Sequence, residues 1–384
     1  MNSIKHRYIL KITPLTAVHI GTGLELTPFN YVIKLNKNRT PTLYRFIPGQ
    51  VISFLSSEQK KELEKLSESG NILPLRKFLY NNFKAGMEIY SLPVSKDIAK
   101  SYVNNLQSER NQLIINEMYR KGDIYSPVIP GSSLKGAIRT AVLNKKVREK
   151  TSRGYAVPKI NKEIQKQALN YKDAKDDPFR AVSISDCVIK KRSKNQIVSN
   201  LFIYKNTRGE NSRIEMQMTY ELIRGKLFNG SAIGGVELLI DNPLIEFPPV
   251  GNWEGIKVKL NIKEIADSCN KFYKDAFKEE FNKHYGSCNE FLLKNNLEML
   301  EREIDDIGSD SNKISFLLRV GRFSQVECVT LEEPYRSPFN KKGYGKTRTL
   351  ARYNDLEMPL GWVRVDVEKA YINGKPTERA VYHN

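Results

Sequence analysis

The 384-residue chain sets 62 Lys and Arg against 43 Asp and Glu, a formal net charge of +19, and 10% of its residues are aromatic. That balance points to a phosphate-rich partner, nucleic acid ahead of an anionic membrane, because each neutralised phosphate releases counterions and rings stack on exposed bases. The length supports a substantial core and two domains; with no cationic start leading into an apolar segment and no apolar run of spanning length, the expectation is a soluble, cytoplasmic protein.

In chain order, Tyr8 to Ile12 predicts a strand that breaks at Pro14, and the glycine-containing connection His19-Ile-Gly-Thr-Gly23 leads to a second strand over Asn30 to Leu35. Charged helical sequence follows at Ser57 to Ser67, with short helices predicted at Leu75 to Phe83 and Ile98 to Leu106. A turn and helix occupy Ser126 to Leu143. The interval Lys145 to Asp177, dense in charge and poor in large apolar groups, predicts an exposed excursion. Strand patterns resume at Ala181 to Lys190, Ile214 to Tyr220 and Val236 to Ile240, and another is expected at Ile256 to Ile262. Ile265 to Ile307 is mostly helical, and three further strands are expected at Phe316 to Val320, Gln325 to Thr330 and Gly361 to Asp366. The mixture favours antiparallel pairing over a regular parallel repeat.

The most informative segment is SPVIPGSSLKGAIRTAVL, Ser126 to Leu143. Two prolines restrict the approach, Gly131 permits a tight turn, and Ser132 or Ser133 can cap the helix. Lys135 and Arg139 are four apart and share a helix face, while Leu134, Ile138 and Val142 form an apolar seam. Helix-start N–H groups with two cations suit a phosphate; the same pattern also serves as plain structure.

Other constellations are weaker. Ser132-x-x-Lys135 has the spacing of a serine nucleophile and lysine base but lacks the companion elements of that chemistry. Gly345-Lys346-Thr347 resembles the end of a nucleotide-binding loop, yet Asn340 stands where the first glycine belongs. A glycine-rich RNA contact with Tyr344, Lys346 and Arg348 fits the segment better. In Arg319-Val-Gly-Arg322, Gly321 admits a close backbone approach and Arg322 supplies a charge; Phe323 reads as core or as a stacking ring. His19 is a structural residue or an RNA contact and, in the alternative reading, a general base for metal-independent RNA cleavage. Cys187, Cys269, Cys288 and Cys328 are too widely spaced for a zinc set, and no cofactor or metal is expected.

Thr13-Pro-Leu-Thr-Ala-Val-His-Ile-Gly-Thr-Gly23, Ile129-Pro-Gly-Ser-Ser-Leu-Lys-Gly-Ala-Ile-Arg139 and Gly343-Tyr-Gly-Lys-Thr-Arg348 occur in the order that resembles the RAMP superfamily of CRISPR effector proteins. More narrowly, the chain is similar to the fifth, terminal subunit of the type III-A Csm complex. The resemblance implies an α+β fold of two ferredoxin-like, RRM-like units with antiparallel sheets and helical insertions, divided near residues 1–240 and 241–384. It places Gly131, Ser132, Ser133, Lys135 and Arg139 in the characteristic turn and helix, and Gly343, Gly345, Lys346 and Arg348 in the late glycine-rich region. It implies a noncatalytic subunit that holds CRISPR RNA and caps the backbone near the guide 3′ end. The partners it implies are neighbouring backbone subunits, target RNA in the assembled complex and cellular nucleases for guide trimming.

Overall fold

The computed structural model describes residues 5–122, 125–156, 158, 161–189, 195–207, 210–241, 255–286, 288, 290–336, 345–353 and 356–377. At its centre, strand Lys5–Pro14 lies between Gly234–Asp241 and Trp362–Ile372, with Val182–Ile184 and Ser315–Arg319 beyond them, all antiparallel. Alternation makes this sheet two-faced: Tyr8, Leu10 and Ile12 are buried while Arg7, Ile9 and Lys11 point the other way. Helices Gly131–Ser152 and Ile262–Glu280 cover the apolar face, and Leu134, Ile138, Val142, Ile265, Cys269 and Phe272 join its core. The opposite face carries cross-strand ion pairs, among them Arg7 with Glu237 and Lys11 with Glu368. Residues from both sides of position 240 therefore build one sheet and one core.

A second sheet runs Leu356–Pro359, Arg348–Tyr353, Gln196–Thr207, Glu210–Ile223, Ile115–Met118, Gly21–Leu26, antiparallel except where Glu210–Ile223 meets Ile115–Met118. A smaller sheet, Tyr31–Leu35, Pro41–Arg45 and Tyr90–Pro93, closes its own core with Val51, Leu79 and Phe83. The fold is α+β with several antiparallel sheets and helical insertions.

Three expected elements come out differently. Gln325–Val329 is a one-turn helix instead of a strand, which turns Glu327 and Cys328 inward. Ile256 to Ile262 forms no strand; Asn261 caps the helix that starts at Ile262, its side-chain oxygen accepting from the Glu264 N–H at 2.8 Å. The stretch Lys145 to Asp177 is docked onto the domain: the long helix continues to Ser152, and Ile164, Ala168 and Leu169 join the main core. Sparse apolar residues sufficed because they recur on one side of helix Asn161–Ala168.

Candidate functional site

A cleft of about 580 Å³ opens where three segments far apart in sequence converge: the start of helix Gly131–Ser152, the head of strand Gly21–Leu26, and the turn after strand Ser315–Arg319. Ser132, Ser133, Gly136 and Thr140 form one wall, Gly21 and Gly23 another, and Gly321 and Arg322 a third. The turn is held by hydrogen bonds: Arg322 N–H donates to the His19 carbonyl at 3.0 Å, and the Ser324 hydroxyl donates to the Gly321 carbonyl at 2.8 Å. Gly321 has φ +93°, and a Cβ there would lie 2.5 Å from the His19 oxygen, so the glycine is required by the close pass of this turn over the His19 backbone, an internal contact and not the approach to a ligand that the sequence suggested.

The helix is capped two residues before the earlier of the two expected caps, Ser132. Pro130 is the N-cap and no side chain caps the turn, so Ser132 and Ser133 lie inside the first turn and face the cleft. Among the described residues their hydroxyls engage no partner. Gly131 N–H donates to Asp186 Oδ1 at 2.8 Å, so the first free donor of the helix is satisfied internally. A Cβ on Gly131 would collide with the Ile184 carbonyl; the glycine is required for the helix to seat against strand Val182–Ile184.

The structure sorts the cations of the sequence motifs into two kinds. Arg139 forms a two-pronged ion pair with Asp177, at 2.8 Å to each oxygen, and its guanidinium lies over the Phe179 ring. Lys135 stands beside that pair, half-buried, and burial lowers its pKa from the ordinary lysine range. At 100° per residue, Lys135 and Arg139 lie on the stripe flanking the one that faces the cleft. Arg348 is 1% exposed and pairs with Glu280 at 2.8 Å and Glu327 at 2.7 Å. Glu280 also binds buried Arg319, which lies over the Trp362 ring and donates to the Leu360 carbonyl. The expected contact at Arg348 is thus a member of a buried, charge-balanced quartet under the cleft floor. Arg322 and Lys346 are exposed and unpaired among the described residues. Gly345 lies against the short helix, where a Cβ would sit 3.6 Å from Glu327 Oε1. Gly343 and Tyr344 fall outside the described residues.

His19 does not occupy an open loop. Its ring is 1% exposed, packed edge-on against Tyr220 at 4.9 Å between centroids, with Nδ1 2.8 Å from the Glu221 carbonyl. Burial lowers its pKa, so the ring is neutral near pH 7, donating from Nδ1. A Cβ on Gly21 would meet Nε2 at 2.9 Å, so the imidazole packs directly against this cleft-lining glycine and is buried. Cys328, at the floor, has its thiol pushed up to about 12 by burial, a protonated and unreactive state. Among the described residues no group of three or more His, Cys, Asp or Glu side chains could hold a metal ion, and no helix is long and apolar enough to cross a membrane.

Sequence reasoning selected the helix and its two serines, Ser132 and Ser133, which line the cleft, together with Lys135 and Arg139, which lie on the flanking stripe. The residues that face the cleft are small and spaced four apart, Ser132, Gly136 and Thr140, a signal legible in the sequence yet indistinguishable from ordinary helix packing. The acids Asp177, Asp186, Glu280 and Glu327 carried no local signal.

The chain is similar to the CRISPR system protein Csm5 of Streptococcus thermophilus, with 28% identity over 188 residues, 46% of this chain and 50% of that protein. The matched part spans half the length of that curated relative. Its fold is similar to a chain in a cryo-EM structure of a Csm–crRNA–target RNA ternary complex of a type III-A CRISPR-Cas system, with a TM-score of 0.63 at 21% identity, covering 94% of this chain and 100% of that one. A crystal structure of T. onnurineus Csm5 is similar with a TM-score of 0.52 at 20% identity, covering 93% and 99%. The profile of the RAMP superfamily matches residues 11–322, a span that contains all three walls of the cleft, and the chain belongs to that superfamily.

Proposed function

We propose that this chain is a noncatalytic CRISPR RNA-binding subunit that caps the backbone of a type III-A effector complex near the guide 3′ end and supports guide maturation and assembly. The observation that carries the reading is the convergence of the glycine segment, the helix start and the Gly321–Arg322 turn on one cleft lined by small and hydroxyl-bearing residues. Small side chains let a sugar-phosphate backbone approach closely. The two free serine hydroxyls, the positive end of a 22-residue helix and the exposed Arg322 suit phosphate and 2′-hydroxyl groups without reading bases. The buried neutral His19 and protonated Cys328 offer no group for cleaving the strand. Guide RNA supplies sequence specificity through pairing; neighbouring backbone subunits, target RNA and a trimming nuclease complete the assembly.

Gly136→Glu tests this reading, because a Cβ at this exposed helical site meets nothing within 4 Å and the fold is preserved. The added carboxylate is expected to weaken binding of unrelated single-stranded RNAs alike. Arg322→Ala is expected to lower affinity and reduce the slope of log affinity against log salt by about 1. Unchanged affinity in both variants overturns the assignment of the cleft. Sequencing of RNA from natively purified complexes is expected to return guide-sized species; a diverse RNA population would move the protein outside the CRISPR setting.

A further inference from the structure

Opposite the cleft-lining Ile20 stands an aromatic residue, Tyr119, that none of the motifs contains and that is not itself a lining residue. Strand Gly21–Leu26 pairs antiparallel with Ile115–Met118, Gly21 opposite Met118, so the next position sets Ile20 opposite Tyr119. The Tyr119 N–H donates to the Ile20 carbonyl at 2.7 Å, in keeping with that register. Residues directly opposite in an antiparallel pair share a face, with Cβ atoms about 4.5–5.5 Å apart. Ile20 lines the cleft, and its Cδ1 lies 3.5 Å from the point a Cβ on Gly321 would occupy. By this register Tyr119 shares a sheet face with the cleft-lining Ile20, next to the cleft and outside its lining.

Two properties make this ring more than surface decoration. Its backbone is fixed on both sides, the N–H by Ile20 and the carbonyl by the Val128 N–H at 3.0 Å, so the ring is carried on a rigid element. The side chain is 41% exposed, and among the described residues no hydrogen bond or ring contact engages it. By contrast Tyr220 is buried, and the partly buried Phe323 packs edge-on against it at 5.3 Å between centroids.

We infer that Tyr119 is a stacking platform for one unpaired base of the strand whose backbone lies in the cleft, making the preferred ligand single-stranded RNA with a splayed base. The inference rests on the cleft reading above. A base stacked on an aromatic side chain is tolerated whatever its identity, since every base has a π-face. Tyr119 would add affinity for base-bearing strands without adding sequence preference.

The test uses the full chain with two probes, a mixed-sequence single-stranded RNA and an abasic ribose-phosphate oligomer of equal length. Tyr119→Ala is expected to weaken binding of the RNA about tenfold, leave its salt slope unchanged, and leave binding of the abasic oligomer unaltered. Tyr119→Phe is expected to bind both probes as the parent does, because the ring and not the hydroxyl stacks. Equal RNA affinity in Tyr119→Ala and parent, with Gly136→Glu still weakened, would remove the platform and leave the cleft standing. Loss of affinity in neither variant overturns both, and equal weakening toward both probes would show a general disturbance of the cleft in place of stacking.

Discussion

At Gly131 the requirement is for the absence of a side chain. The backbone of the helix start passes so near the Ile184 carbonyl that a methyl group has no space, while its N–H is engaged by Asp186. Gly131→Ala is expected to destabilise the protein by about 1–3 kcal/mol, read as a lowered urea midpoint, because the helix must shift off its strand. Gly136, three residues past Ser133, has open space at the same helix and tolerates substitution sterically. The two glycines of one motif thus serve different ends: one seats the helix, and the other clears a path along it. His19 shows the same division between backbone and side chain. Its carbonyl fixes the Arg322 turn while its ring fills the interior.

Between elements, the buried quartet Glu280, Arg319, Glu327 and Arg348 is the strongest tie. It joins the end of helix Ile262–Glu280, strand Ser315–Arg319, helix Gln325–Val329 and strand Arg348–Tyr353, two of which border the cleft. Each charge is desolvated, and each carboxylate has at least one guanidinium against it. Removing one charge leaves its partners unpaired in a dry interior, so Glu280→Gln is expected to cost about 3–5 kcal/mol in equilibrium unfolding, more than loss of any exposed pair. The same reasoning separates Arg139 from Arg322. The former is held by Asp177 against Phe179 and serves to dock the Lys145 to Asp177 stretch; the latter has no such partner among the described residues and remains available to a ligand.

For the molecule as a whole, two buried histidines make stability depend on pH in mild acid. Burial first, and then the nearby Arg348, lowers His284 from 6.5 to about 4, and burial also lowers His19. In the unfolded chain both rings take up protons near pH 6.5, while in the folded chain they stay neutral to lower pH. The unfolded state therefore binds more protons in that window. Stability from this source is full above about pH 6.5 and is lost as pH falls toward about 4. Urea midpoints measured across that range are expected to fall with pH, and His284→Phe is expected to flatten the decline; an unchanged slope would assign the acid sensitivity elsewhere.

Much of the fold is legible in local pattern. The run Tyr8 to Ile12 marked its strand, the charged stretch Ser57 to Ser67 the helix Ser57–Glu68, and the three segments that meet at the cleft were each visible locally. Local pattern suffices there because it reports which side of an element is buried. Gln325 to Thr330 misled for the same reason: a short apolar run fits a strand or a single buried helical turn equally well. Only the tertiary structure decided which cations are free. Arg139 finds its acid 38 residues away and Arg319 finds Glu280 at a distance of 39, so no window of sequence contains both partners. Net charge is a sum over the chain, whereas a ligand meets only those charges that folding leaves unpaired and exposed.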